Sequence, residues 1–250
     1  MMSSHAMDSP DPETDPRSIV LIHGYGLRSP FWRSMKTRLQ ASFAHVVTPD
    51  LEMPSIDAGI AEITRIAREL RDEHGHPVIL VGHSLGGVMS AMAARALPVD
   101  VVCHLVVIAA PYGESMTRSL NPLTRLALRF RLIPKSVLRA RFFGTRTPKK
   151  LQKELFSQAV DEAQEVRDVA NEDKWFHTHA FEHGLPQRSL VIASEADRIV
   201  NPSQTMAFGE ALGARTHLFQ RSLQIGHDDF GILPAAADVT SRVIEDFVGG

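Results

Sequence analysis

Short apolar runs rich in β-branched residues recur along the chain between longer stretches of helical periodicity. The first, SIVLI at residues 18–22, is stopped by the glycines of HGYG and predicts a strand buried on both faces. A helix is predicted over about 30–43 and a second strand, HVVTP, at 45–49. Ile56, Ile60, Ile63, Ala67 and Leu70 then return at intervals of 4, 3, 4 and 3, one face of an amphipathic helix that Gly75 ends. PVILV at 77–81, a small-residue helix at 85–96 and VVCHLVVIA at 101–109 continue the series. After a long gap come SLVIA at 189–193, a helix near 203–212, a strand near 216–220 and a C-terminal helix over 235–248.

This alternation predicts an α/β fold of three layers, a mostly parallel sheet of about six strands with helices on both faces. Ligands then belong at the C-terminal ends of the strands. Between 112 and 187 the alternation lapses into helical composition, which reads as a helical cap inserted over that end of a core formed by 18–111 and 188–250. Residues 1–17, rich in proline and acid, are expected to be a disordered tail and resemble no secretory leader. No stretch is apolar for the ~18 residues that a membrane span requires.

Gly82-His83-Ser84-Leu85-Gly86 lies directly between a predicted strand and a predicted helix. A sharp turn in that position lifts a serine hydroxyl at a helix N-terminus, and glycines leave room that a Cβ would fill. Serine is a weak nucleophile and needs a base, itself oriented by a third group. His227, in IGHDD, follows the last strand, and Asp197, in SEADRIV, follows the SLVIA strand. Of the 12 histidines, His23 belongs to the HGYG loop, His83 to the turn itself, and His5, His74 and His76 to tail or loops, which leaves His227 as the base. Glu195 rivals Asp197 as the acid, while Asp228 and Asp229 are expected to face the positive end of a nearby helical turn. His177, His179 and His183 form a cluster with a single acid, Glu182, and read as a polar face of the cap rather than a metal site. Lacking a phosphate loop or dinucleotide fingerprint as well, the chain is expected to use no metal and no cofactor. Tyr25 and Tyr112 each follow a strand end on the site face and suit either a pocket wall or packing beneath the cap.

His23-Gly24, the GHSLGG run from Gly82 to Gly87, the ADRIV run ending at Val200, and Gly226-His227 together resemble the α/β-hydrolase superfamily, of the lipase and esterase kind. The resemblance covers 18–111 and 188–250 and is specific to the superfamily more than to a substrate. It implies Ser84 as nucleophile, His227 as base and then acid, Asp197 as orienting acid, and an oxyanion hole from the amides of Tyr25 and Leu85. Tyr25, His83 and Tyr112 would contact a small-molecule or lipid-like ester. Members commonly carry two further strands before the HG loop, whereas this sheet is expected to start there. A serine at the turn argues against the dehalogenase-like and epoxide-hydrolase-like branches, which use aspartate. Thioesterase, lactonase and acyltransferase chemistry use the same triad, and a non-catalytic binding protein of this fold is the reading of another class.

Charge alters the picture of the cap. The chain has 27 basic and 29 acidic residues, a formal net charge of -2, yet 116–153 holds eleven basic residues and no acid. Leucines and phenylalanines are interleaved with them. Either these cations pair with the six acids of 161–173, or they face an anionic membrane surface or anionic substrate. The basic stretch contains no recognisable nucleic-acid module, and nucleic acid is not expected as a partner. The single cysteine, Cys103, reads as a buried small hydrophobe and fits a reducing, cytoplasmic setting.

Overall fold

The computed structural model describes residues 14–113, 135–171, 181 and 183–250. The tail up to residue 13, the stretch 116–134 of the basic segment, and His177, His179 and Glu182 lie outside the described residues.

Six strands, β1 (Asp15–Ile22), β2 (Phe43–Val47), β3 (Val78–His83), β4 (Val102–Ile108), β5 (Arg188–Ser194) and β6 (Arg215–Phe219), form one sheet in the order β2-β1-β3-β4-β5-β6. Every pairing is parallel. The connections place α1 (Arg33–Leu39), α2 (Ile56–His74), α3 (Leu85–Ala96), α7 (Pro202–Leu212), the short α8 (Asp229–Ile232) and α9 (Pro234–Gly249) against the sheet. Because side chains alternate across a strand, Ile19 and Leu21 enter one core with Met35, Phe230 and Ile244, while Val20 and Ile22 enter the other with Ile63, Met89 and Phe208. Two apolar cores, one on each face, are the expected three layers. Ser55 caps α2 by accepting from Ala58 N at 3.1 Å, and Gly75 ends it at φ 74°.

Differences from the sequence reading lie at element ends. β1 begins at Asp15 rather than Ser18, because Arg17 folds back onto Asp15 and also reaches the carbonyl of Val248, which satisfies both charges at the lower edge of the sheet. The predicted first helix divides into a 3-10 turn, Ser29–Trp32, and α1, and β2 starts at Phe43, since its pairing with Asp15 extends the ladder downward. Cys103 is only partly buried, its Sγ 3.6 Å from the Val78 carbonyl, and is unpaired.

The insertion between β4 and β5 contributes α4 (Lys135–Phe142), α5 (Lys149–Ser157) and α6 (Gln164–Asn171). Phe143 and Leu155 reach the core shared with α1 and α9, so this segment is anchored to the sheet layer by apolar burial. Among the described residues no helix is long and apolar enough to cross a membrane.

Candidate active site

The chain turns one way from β1 to β2 and the other way from β1 to β3, so the C-terminal ends of β1 and β3 flank a crevice. Both loops that open there carry candidate residues. After β3 the backbone reverses at Ser84, with φ 53° and ψ -124°, outside the regions L-residues ordinarily occupy. Ser84 N donates to Ile108 O at 2.9 Å, and Ser84 O accepts from Gly87 N at 2.9 Å, which fixes the turn between β4 and α3. A Cβ on Gly86 would stand 2.3 Å from His23 O, and one on Gly82 2.4 Å from Gly86 O, so the tight crossing of strand and helix demands both glycines. Ser84 makes no cap hydrogen bond to α3, and its hydroxyl sits at the positive end of that helix.

The loop after β1 is held by His23. Its Nε2 accepts from Leu51 N at 3.1 Å and its Nδ1 lies 3.0 Å from Gly24 O, which makes Nδ1 the protonated nitrogen. Burial lowers the His23 pKa and keeps it neutral. Gly24 presses on the serine turn, since a Cβ there would lie 3.0 Å from Ser84 Cβ. Tyr25 follows in an exposed turn, and the Leu85 amide lies in the first turn of α3, where backbone donors have no partner within the helix.

His227 and Asp197 meet: Nδ1 donates to Asp197 Oδ2 at 2.8 Å in a buried setting. The other carboxylate oxygen, Oδ1, accepts from Ile199 N at 2.8 Å and Val200 N at 3.0 Å. Glu195 instead accepts from Arg221 N at 2.9 Å on the exposed side, so the geometry selects Asp197. Burial depresses the His227 pKa, but the charge and hydrogen bond of Asp197, with the charge of Asp228, outweigh it and the net shift is upward.

His83 corrects an expectation. It is 0% exposed, its Nε2 donates to His227 O at 2.8 Å, and its ring lies 4.7 Å from that of His227. Burial and the neighbouring His227 hold its pKa far below the usual range, so it supports His227 from beneath as a neutral ring and has no surface for substrate. Tyr112 lies flat on Phe208, ring centroids 4.9 Å apart, with Phe181 beyond, which is packing at the margin of the cap.

The two acids after His227 stand at the start of a helical turn, as expected, and have further roles. Asp228 is buried beside the histidine, and burial pushes its carboxyl up to about 7. Asp229 opens the short helix Asp229–Ile232, and its carboxylate accepts from Gly226 N at 2.7 Å, Gly144 N at 2.8 Å and Thr147 Oγ1 at 2.6 Å. On the opposite side Glu162, also missed from sequence, accepts from Gly26 N at 3.0 Å and Arg28 Nη1 at 3.1 Å. The one signal for Asp229 is its spacing, an acid three residues after the amide it receives, as in a capping box. Among the described residues, His83, His227 and Asp228 are the sole group with three potential metal-ligand atoms within 4.8 Å of one another. Each of these histidines commits one ring nitrogen, His83 Nε2 to the His227 carbonyl and His227 Nδ1 to Asp197, and His183 of the other cluster is exposed.

A serine on a strained strand-to-helix turn, an Asp-His pair on the loops after β5 and β6 and a six-stranded parallel sheet define the α/β-hydrolase class. The chain belongs to the alpha/beta hydrolase family, whose sequence profile matches residues 19–237. Over 97 residues it is 32% identical to the pimeloyl-[acyl-carrier protein] methyl ester esterase of Sodalis glossinidius, a match spanning 38% of this chain and 37% of that protein. An esterase from Exiguobacterium antarcticum superimposes with a TM-score of 0.73 at 16% identity, covering 95% of this chain and 94% of the other. A thermophilic esterase from Thermogutta terrifontis gives 0.69 at 16% identity over 94% and 90%. At such identities the likeness establishes the fold.

Proposed function

We propose that this hydrolase cleaves carboxylic esters through an acyl-enzyme on Ser84. His227 takes the hydroxyl proton as the oxygen attacks the carbonyl carbon, and the amides of Leu85 and Tyr25 receive the oxyanion of the tetrahedral intermediate. The C–O bond to the leaving alcohol breaks as His227 returns the proton to it. Water, deprotonated by His227, then attacks the acyl-enzyme and releases the acid and free Ser84. Asp197 holds the imidazole in the required tautomer and favours the imidazolium that forms in each half-reaction. The observation that carries this reading is the buried 2.8 Å Asp197-His227 bond together with a serine at φ 53° on the turn after β3. Esterase names among its relatives support the ester over the thioester, lactone and acyl-transfer chemistry that the same residues serve.

The insertion presents a cationic surface to an anionic membrane or substrate in this reading. Arg141, Arg146, Lys149, Lys150 and Lys153 are exposed and, among the described residues, make no ion pair. Of the acids expected to neutralise them, Glu162 instead holds Arg28, and the nearer Glu154 pairs with Arg33 of the core. An unpaired Cys103 supports a reducing, cytoplasmic setting.

The test is a panel of p-nitrophenyl esters from acetate to palmitate with matching thioesters, run with and without anionic vesicles. Hydrolysis of the oxygen esters is expected, with activation by the vesicles, and Ser84→Ala is expected to lose on the order of 10⁴-fold or more in kcat. Retained turnover in Ser84→Ala ends the proposal. Failure of a fluorophosphonate to label Ser84 in the folded protein would favour the non-catalytic binding reading.

A further inference from the structure

The catalytic histidine stands on a loop with almost no secondary structure of its own. Its side chain is oriented by a single bond to Asp197, so the position of the imidazole depends on what fixes the backbone from Gly226 to Asp229. Three bonds do so. His83 Nε2 donates to the His227 carbonyl at 2.8 Å, the amide of Asp228 donates to the Phe142 carbonyl at 2.9 Å, and the amide of Gly226 donates to the Asp229 carboxylate at 2.7 Å. Two of these three depend on the cap or on the side chain that touches it.

Asp229 joins the loop to the cap through one carboxylate. Its Oδ2 accepts from Gly226 N and from Gly144 N of the cap, and its Oδ1 accepts from Thr147 Oγ1. The two backbones approach so closely that a Cβ on Gly226 would stand 2.3 Å from Gly144 N, and one on Gly144 1.7 Å from Gln224 O. Phe142 closes the contact, its ring meeting that of His227 at 5.9 Å and 65°. Asp229 is itself 0% exposed, which leaves these three donors as the compensation for its burial.

We infer that Asp229 is a positioning residue for His227, and that the cap segment from Phe142 to Thr147 is thereby a structural part of the catalytic site. The inference rests on the proposed role of His227 as base. An imidazole that takes a proton from Ser84 and returns it to a leaving group must stay in register with both, and a displacement of about 1 Å costs on the order of 100-fold. Asp229 touches neither substrate nor reacting atoms. Its effect runs through the backbone of the loop.

Asp229→Ala removes the acceptors of all three bonds, Thr147→Val removes the cap hydroxyl alone, and Asp229→Asn is the conservative variant. An asparagine keeps one oxygen for the two backbone donors and offers its N–H to the Thr147 oxygen, which can accept. The full-length chain and each variant are titrated with a fluorophosphonate to count competent sites, assayed on a p-nitrophenyl ester, and examined by NMR for the downfield proton on His227 Nδ1. Per titrated site, Asp229→Ala is expected to lose about 100-fold in kcat with little change in KM, and Thr147→Val about tenfold, the worth of one hydrogen bond. The downfield signal should move or broaden in both, and Asp229→Asn should restore most of the activity and the signal. If Asp229→Ala fails to fold, Thr147→Val decides by the same readouts. A kcat per site within twofold of the parent with an unmoved signal, even with a lowered melting temperature, overturns the inference and leaves Asp229 a role in folding only. Should the parent protein itself take no label at Ser84, the reading of the triad fails, an outcome distinct from normal labelling with indifferent variants.

Discussion

Ser84 occupies a backbone conformation that stability measurements can detect without any substrate. Its φ of 53° and ψ of -124° bring Cβ against the neighbouring backbone, a strain of about 1–3 kcal/mol for any residue but glycine. Replacing the serine by alanine removes the hydroxyl and keeps the strain, whereas glycine removes both. At an ordinary buried site, glycine is less stable than alanine by about 1 kcal/mol of backbone entropy and by about 0.8 kcal/mol for the lost carbon. Ser90, within helix α3 and fully buried, supplies that ordinary site in the same element. The alanine-to-glycine penalty at Ser84 should therefore be smaller than at Ser90 by the strain itself, about 1–3 kcal/mol. For a chain of this size, each 1 kcal/mol moves the melting temperature by roughly 2–4 °C, so calorimetry on the four variants resolves the difference. Equal penalties at the two positions would refute the claim that the fold holds the nucleophile under strain.

The acid limb of kcat/KM should follow His227, whose pKa stands above its usual 6.5, so activity rises with pH through a value above 6.5 as the imidazole becomes neutral. Asp228→Asn removes one charge that supports the imidazolium and should move that limb to lower pH; an unmoved limb refutes the assignment. The same substitution should stabilise the fold at pH 8. The folded carboxyl titrates at about 7 against 3.8 unfolded, so stability from this group is full below about 4 and is lost as pH rises toward 7, and asparagine is free of that loss. A melting temperature at pH 8 below that of the parent would contradict this. Gly86→Ala places a Cβ 2.3 Å from His23 O and 2.6 Å from Ile22 O, and is expected to cost about 3 kcal/mol or more along with esterase activity. Gly249→Ala meets nothing within 4 Å and should be neutral in the same thermal assay.

Much of this architecture could be read from local pattern because the forces that build it are local in sequence. A strand buried on both faces must be apolar at every position, so SIVLI, PVILV and SLVIA announce themselves, and the glycines of the serine turn are dictated by contacts with adjacent elements. The Asp197-His227 pair followed from strand-end positions for the same reason. Burial, by contrast, says which face of a residue is covered and nothing of its partner. His83 looked like a surface of the pocket because it adjoins Ser84, yet adjacent side chains at the end of a strand point to opposite faces, and His83 points down into Phe31 and Phe230. The bond between Asp229 and Thr147 joins residues 82 positions apart and has no periodic signature.

The charge of the insertion shows the same limit and carries a physical consequence. Proximity in sequence suggested that its cations and the acids of 161–173 neutralise each other within the cap. Glu162 instead lies buried against Gly26 N and Arg28, where an acid has two donors to offset its desolvation, a better site than an exposed lysine screened by water. The acid therefore clamps the loop after β1, as Asp229 clamps the loop that carries His227. Carboxylates join the insertion to the loops after β1 and β6, while Arg141, Arg146, Lys149, Lys150 and Lys153 stay exposed and make no ion pair among the described residues. Buried acids that bind backbone amides fix geometry, and exposed cations leave the outer surface positive. An insertion so built anchors the loops after β1 and β6 from within and keeps its cations outermost.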